Sequence, residues 1–215
     1  MHCVVLFGLE RSVYTRIARL ALEEKRVPYT LHEVEIFGRQ GVPAEHLRRH
    51  PFGRIPVLQH GTFVLYETAA ITCYVDEAFA GPPLQPSAPA QRARMNQIVG
   101  ILDSYAYRPM VWGVFVQRVR IPSSGGTADE AEIGRALAGA ATCLAALEKI
   151  VDPRPFLVSE DISLADLHAF PMLRYLSLAP EGRSLLGRHE SLQRWLDSML
   201  ERPSVRGTMS QYEVE

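Results

Sequence analysis

The chain has 215 residues, 47% of them hydrophobic and 22% charged, with a net charge of −1. That length and balance suit a soluble globular protein of one or two domains with a sizeable core. The near-neutral charge gives no electrostatic reason for a nucleic-acid or anionic-membrane partner. The three cysteines, Cys3, Cys73 and Cys143, lie far apart and form neither a C-x-x-C pair nor a metal-ligand spacing. Such usage points to a reducing compartment and to no bound metal. The apolar run near the N-terminus is too short for a signal peptide or a membrane span. The expectation is a cytoplasmic protein.

Residues 3–7 form a continuous apolar run, as expected of a strand buried on both faces. A loop at 8–11 leads to Ser12, which precedes a helical pattern to about residue 25 with Val13, Ile17, Leu20 and Ala21 on one stripe. Residues 29–35 read as a second strand, so the opening is strand–helix–strand with a right-handed crossover. Residues 43–49 suggest a short helix. Residues 50–71 then read as a sharp turn, a strand opening on Pro56, a tight turn at 59–61, a second strand, and a helix over 67–80 that begins with Glu67-Thr68. This βαβ-ββα order is that of a thioredoxin-like α/β domain, residues 1–80.

Four prolines fall within residues 81–89, which read as a stiff linker. Everything after it reads helical, giving an all-α second domain over 90–215. One long segment spans 90–119, with Pro109 as its kink position. A loop follows at 121–127, then helices over 128–150 and 191–201. Ser163 and Asp166 have capping-box spacing, flanked by Ile162 and Leu167 at the staple positions, at the start of a buried helix.

Two features of the 50–71 stretch suit a small extended peptide. Ile55, before a proline, is biased to extended backbone, and a cis bond to Pro56 would leave its amide and carbonyl open to an added strand. The helix opening at Glu67-Thr68 would attract a carboxylate through its amides and an ammonium through Glu67. Taken singly, each is more often a plain turn or cap.

Phe7-Gly8 with Ser12, Thr15 and Arg16, the run His50-Pro-Phe-Gly-Arg-Ile-Pro56, the pair Glu67-Thr68, and the Ser163–Asp166 box occur in one order along the chain. Together they resemble the cytosolic glutathione S-transferase family, most closely its serine-type members, which include the plant phi-like class and many bacterial proteins. The resemblance implies that Ile55 and Pro56 pair with the cysteinyl backbone of glutathione and that Glu67 and Thr68 hold its γ-glutamyl end. It places Ser12 at the glutathione sulfur, as a thiolate stabiliser. A tyrosine-type enzyme would carry its tyrosine where Phe7 stands, and a cysteine-type enzyme would carry cysteine near Ser12. The basic side chains that phi-like members use for the glycine carboxylate are missing at Gln40-Gly41-Val42; Arg39, Gln40 and His46 are the available substitutes, and Arg54 is a further candidate. An apolar electrophile site opposite the sulfur is implied, with Leu9, Tyr105, Tyr107, Met110, Val111 and Trp112 as candidates. Phe52 resembles the aromatic that plugs into a partner subunit, which implies a C2 homodimer.

The implied activity is transfer of the glutathione thiolate to a small hydrophobic electrophile. Two other readings use the same scaffold: a glutathione-dependent isomerase, ether-cleaving enzyme or peroxidase, and a non-catalytic interaction module.

Overall fold

The computed structural model describes residues 3–151 and 155–213. The chain divides into two compact units, Met1–Leu84 with Pro203–Glu215, and Gln85–Arg202. Among the described residues no helix is long and apolar enough to cross a membrane.

The first unit holds a four-stranded sheet of order β2-β1-β3-β4. Strand β1 (Val4–Gly8) is the apolar run of the sequence and sits at the centre, with only Val5 part-exposed. It pairs in parallel with β2 (Tyr29–Glu33) and antiparallel with β3 (Val57–His60), which pairs antiparallel with β4 (Phe63–Tyr66). Helix α1 (Val13–Glu24) is the β1–β2 crossover and packs against α3 (Thr68–Ala78). The short α2 (Ala44–Arg49) lies between β2 and β3 in the chain.

The C-terminal segment does not belong with the helical unit, where the sequence reading put it. Residues 203–215 complete the first unit, and a buried ion pair explains why. Arg16 Nη1 of α1 lies 2.6 Å from Glu213 Oε1, and both side chains are fully buried. Glu213 Oε1 also accepts the Ser210 N–H at 3.0 Å and its hydroxyl at 2.8 Å. Arg19, one turn further along α1, donates to the Gly207 carbonyl at 3.1 Å. These partners are almost 200 residues apart in sequence, so no local pattern announces them.

In the second unit, α4 (Pro89–Ile101) runs into two loosely wound stretches, Leu102–Ala106 and Arg108–Arg120. Their bonds span five residues: Tyr107 N–H reaches Leu102 O, and Ile121 N–H reaches Val116 O. Pro109, the expected kink position, falls at the start of the second of these widened stretches, whose looser turns relieve the clash of a proline ring with the preceding turn. After a single helical turn, α5 (Ile121–Ser123), comes α6 (Glu130–Ile150), which packs against the wide-turn segment. Gly113 permits that contact, since a Cβ there would meet Ala136 Cβ at 2.3 Å.

Helix α7 (Leu164–Leu178) is buried at every position except Arg174 and Leu178. The capping box is present at its start. Asp166 does more than cap. It accepts the Ser163 N–H and hydroxyl, each at 2.8 Å, and the Leu157 N–H and Trp195 Nε1–H, each at 2.9 Å. Burial pushes its carboxyl up, against the pull of those four donors. Trp195 belongs to α9 (Glu190–Leu200), so one carboxylate ties α7 to a loop and to a later helix. Helices α8 (Pro180–Leu186) and α10 (Pro203–Arg206) are short and open on prolines.

Burial alone would raise the Glu213 carboxyl, but Arg16 and the Ser210 donors hold it below its ordinary value of 4.5. A depressed carboxyl contributes stability that is complete above the unfolded-state value and is lost as pH falls through the folded one. Glu213→Ala should therefore cost about 3–5 kcal/mol at pH 7, the usual result of stranding one partner of a buried pair. In urea unfolding, the gap to wild type should narrow as pH drops below 4.5. A gap that stays constant across pH contradicts this.

Candidate functional site

Strand register brings three parts of the chain to one end of the sheet. Phe7 faces Val57 across the β1–β3 pair, and Val57 faces Tyr66 across β3–β4. The end of β1, the start of β3 and the end of β4 therefore lie side by side. Strand β1 leads into the loop to Ser12, Ile55-Pro56 leads into β3, and β4 leads into Glu67.

Ser12 is the N-cap of α1, with extended backbone. Its N–H bonds Leu9 O at 3.0 Å, and Leu9 packs in one apolar cluster with Phe7, Val34, Ile55 and Val57. Ser12 is thus tied by one backbone bond to a loop residue, Leu9, that shares a cluster with Ile55. The Ser12 hydroxyl oxygen accepts the Thr15 N–H at 3.4 Å, a long capping bond that leaves the hydroxyl hydrogen to donate elsewhere. Phe7 offers no hydroxyl at the strand end. Its ring is 6% exposed and lies under the Arg49 guanidinium at 4.2 Å.

The close seating of α1 on β1 depends on Gly8. A Cβ there would lie 2.4 Å from Thr15 Oγ1 and 2.8 Å from Thr15 Cγ2.

The Ile55–Pro56 bond is cis, and both residues are buried. Arg54 before them is exposed. Glu67, also exposed, has φ 70° and ψ 114° and precedes the first residue of α3. Its carbonyl accepts the Ile71 N–H at 2.9 Å, so the helix opens on a residue held in a left-handed conformation. Such a conformation costs a non-glycine residue roughly 1–3 kcal/mol and persists where the surroundings impose it, often at ligand sites. Thr68 is 8% exposed.

His50 is 2% exposed and stacks on Tyr66 at 4.6 Å; Phe52 meets both rings edge-on, at 6.0 and 6.4 Å, yet is 70% exposed. Burial pulls the His50 imidazole below its ordinary value, and the opposing Glu67 carboxylate does not overcome it; His46 and Arg54 add to the downward shift.

Beside this end of the sheet, residues 32–49 line a cleft of about 640 Å³ that includes Val34, Arg39, Gln40, Gly41, His46 and Arg49. Arg39 and Gln40 are exposed there. His46 is not a free loop cation. It is 1% exposed, and its Nε2 lies 2.7 Å from the Arg54 carbonyl. Its burial was the feature the sequence reading missed, although the 46/50 spacing puts both histidines on one face of a helical turn. Arg11, at the first loop, pairs with Glu35 at 2.5 Å.

Among the apolar candidates, Leu9 lies in the first unit and is 3% exposed. Tyr105, Tyr107, Met110, Val111 and Trp112 lie in the second. Met110 and Val111 are core residues there, whereas Tyr105 is 68% exposed and Tyr107 and Trp112 are half-buried. Packing decides which of a run of apolar side chains reaches solvent, and the run itself does not say. Among the described residues no cluster of three metal-ligating side chains occurs.

Comparison with known proteins gives the family. The pattern described as "Glutathione S-transferase, N-terminal domain" matches residues 6–83, and "Glutathione S-transferase, C-terminal domain" matches residues 130–198. The chain belongs to the glutathione S-transferase family. It is 26% identical over 207 residues to glutathione S-transferase F7 of Arabidopsis thaliana, covering 96% of this chain and 99% of that protein. It is 27% identical over 201 residues to glutathione S-transferase 1 of Zea mays, covering 94% and 93%. Glutathione S-transferase-I bound with lactoylglutathione superposes with a TM-score of 0.84 at 25% identity, covering 96% of this chain and 98% of that one. The four-stranded sheet with its helices, followed by a helical unit, is the glutathione S-transferase fold, and relatives that the chain matches, such as F7 and F6, are plant F-type (phi) transferases.

Gly8→Ala should destabilise this transferase-fold protein by roughly 1–3 kcal/mol, the usual cost of overpacking. Adding Thr15→Ala should recover most of the loss, because it removes the two nearest of the three atoms the new methyl meets and leaves only Thr15 Cβ at 3.1 Å. Equal and additive losses in urea unfolding would contradict the contact.

Proposed function

We propose that the chain is a glutathione transferase that joins the glutathione thiolate to a small hydrophobic electrophile. The observation that carries the reading is the meeting of Ser12, Ile55-Pro56 and Glu67-Thr68 at one sheet end, imposed by the Phe7–Val57–Tyr66 register. The family assignment supports it, and so does the relative whose structure holds lactoylglutathione.

Glutathione lies along Ile55, its cysteinyl backbone pairing with the Ile55 amide and carbonyl as an added strand. Its γ-glutamyl carboxylate takes the unpaired amides in the first turn of α3, where the helix dipole favours negative charge. Its ammonium faces the exposed Glu67 carboxylate. Arg54, Arg39 and Gln40 are the side chains offered to its glycine carboxylate, with His46 already committed to the Arg54 carbonyl.

The chemistry is thiolate formation followed by C–S bond formation. A free thiol of pKa about 8.5 is mostly protonated at neutral pH, and only the anion attacks. The Ser12 hydroxyl donates to the sulfur anion while its oxygen keeps the long bond from Thr15. The amino end of α1 adds its dipole. The thiol proton leaves to solvent, and the sulfur lone pair forms the new bond to the electrophilic carbon while that carbon's bond to a leaving group such as halide breaks with its electron pair, or, for an activated alkene, while the π pair shifts to the conjugated carbonyl and is then protonated by solvent. A shift of one or two pKa units needs only about 1.4–2.7 kcal/mol of differential interaction. Leu9 is the apolar side chain that the first unit offers to the electrophile; Tyr105, Tyr107 and Trp112 are the accessible aromatics of the second. We place the enzyme in the cytoplasm as a C2 homodimer in which the exposed Phe52 ring enters the partner. Phe52→Ser should move sedimentation from dimer to monomer; an unchanged dimer removes Phe52 from the interface.

A second reading, a non-catalytic module on the same scaffold, is favoured by the commitment of His46, which leaves fewer cations for the glycine carboxylate. Absence of binding at millimolar glutathione would favour it. Isomerase, ether-cleaving and peroxidase chemistry would start from the same thiolate, and product analysis separates them from conjugation.

Ser12→Ala should raise the pKa of bound glutathione by about one to two units, cutting kcat at pH 7 roughly 10- to 100-fold. It should also cost about 1 kcal/mol of stability as a lost cap. Thiolate absorbance across pH reads the first effect, and a variant as active as wild type removes Ser12 from the mechanism.

A further inference from the structure

We propose that His46 is a positioning residue for glutathione, acting through the Arg54–Ile55 peptide. The inference rests on the proposed pairing of glutathione with Ile55 and deepens it.

His46 is 1% exposed, and its Nε2 sits 2.7 Å from the Arg54 carbonyl oxygen. A carbonyl only accepts, so the proton lies on Nε2 and the ring donates. Nδ1 has no hydrogen-bond partner. This ring is therefore committed to one main-chain group rather than to a ligand.

That group is a single peptide plane away from the site. The Arg54 carbonyl and the Ile55 N–H belong to the same planar unit, and a planar trans peptide points them in opposite directions. Anchoring the carbonyl fixes the direction of the N–H. A donor on the carbonyl also polarises the unit, so the N–H on its other side becomes a better donor. The next residue is Pro56, which has no N–H, and the β1–β3 ladder begins only at Val57. Sheet pairing therefore does not hold the 54–55 plane, and His46 supplies the missing restraint from α2. The ligand chemistry served is a main-chain carbonyl acceptor on an extended peptide.

The same bond couples the two sides of the site. Helix α2 borders the cleft at residues 32–49 that displays Arg39 and Gln40. A movement of α2 turns the peptide that meets the cysteinyl carbonyl, so occupancy of the glycine end and alignment of the cysteine are linked through one imidazole.

The test uses the full chain as wild type, His46→Gln, which keeps an N–H donor near the Nε2 position, and His46→Leu, which fills space without one. Without ligand, His46→Leu should move the Ile55 amide proton upfield in a 1H–15N spectrum. It should weaken the glutathione Kd by calorimetry, and raise KM for glutathione, by roughly five- to tenfold, the usual effect of one hydrogen bond. The kcat should stay within about twofold, and His46→Gln should stay within about twofold of wild type on every reading, because the donor is retained. A purely structural role would lower the unfolding midpoint of both variants and leave Kd unmoved, which overturns the proposal, as does a His46→Gln as weak as His46→Leu. Should His46→Leu not fold, the wild-type ring still decides: long-range 1H–15N spectra must show Nε2 protonated, and a ring with its proton on Nδ1 alone overturns the proposal. A wild type that binds no glutathione, with an Ile55 amide that still responds to His46→Leu, supports the positioning role and counts against the proposed function instead.

Discussion

The antiparallel pairing of β1 with β3 is the constraint on which the site depends. It sets Phe7 opposite Val57, and the neighbouring ladder sets Val57 opposite Tyr66. A slip of one residue would turn every side chain of β3 to the other face of the sheet. Leu58 and Val57 would exchange environments, and Ile55 would leave the cluster it shares with Leu9. Because the faces on both sides are apolar and filled, the register is held by core packing rather than by the turn at residues 61–62. The site is thus a by-product of folding: three chain segments are delivered to one edge before any ligand arrives.

Around that edge, polar groups are already spoken for in a way that limits what remains to bind. The Ser12 oxygen keeps a weak cap. His46 serves the Arg54 carbonyl. His50 is packed against Tyr66 and pushed toward its uncharged form. The positive charges left for a carboxylate are the exposed guanidinium groups of Arg39 and Arg54 and the amides opening α3. The negative charge left for an ammonium is Glu67, which is exposed and has a positive φ. This inventory fits a ligand with anionic ends and one ammonium, and it predicts modest affinity at the end served by exposed, solvent-screened arginines.

Much of this was legible in the residues, for physical reasons. A buried central strand must be a continuous apolar run, and residues 3–7 are one. Proline before a strand and glycine in a turn speak locally, and a serine before a helical stripe is a cap whichever further role it has. The Ser163–Asp166 spacing announced a helix start, although not that Asp166 would also accept from Leu157 and Trp195. The features that stayed hidden depend on distant partners. Nothing near Glu213 in the sequence says that it meets Arg16, so the grouping of the tail with the first unit was not legible there. Nothing in the run 105–112 says that Met110 and Val111 turn inward while Tyr105 does not. Pro109 signalled disruption, but whether a kink or widened turns result depends on the helices packed alongside.

The central claim is that glutathione lies along Ile55 with its sulfur at Ser12. A crystal structure of the wild-type chain soaked with glutathione tests it most directly. The account predicts density antiparallel to residues 54–56, the sulfur within hydrogen-bond distance of the Ser12 hydroxyl, and the γ-glutamyl end at Glu67 and Thr68. Glutathione bound elsewhere, or with its sulfur turned away from Ser12, would contradict it.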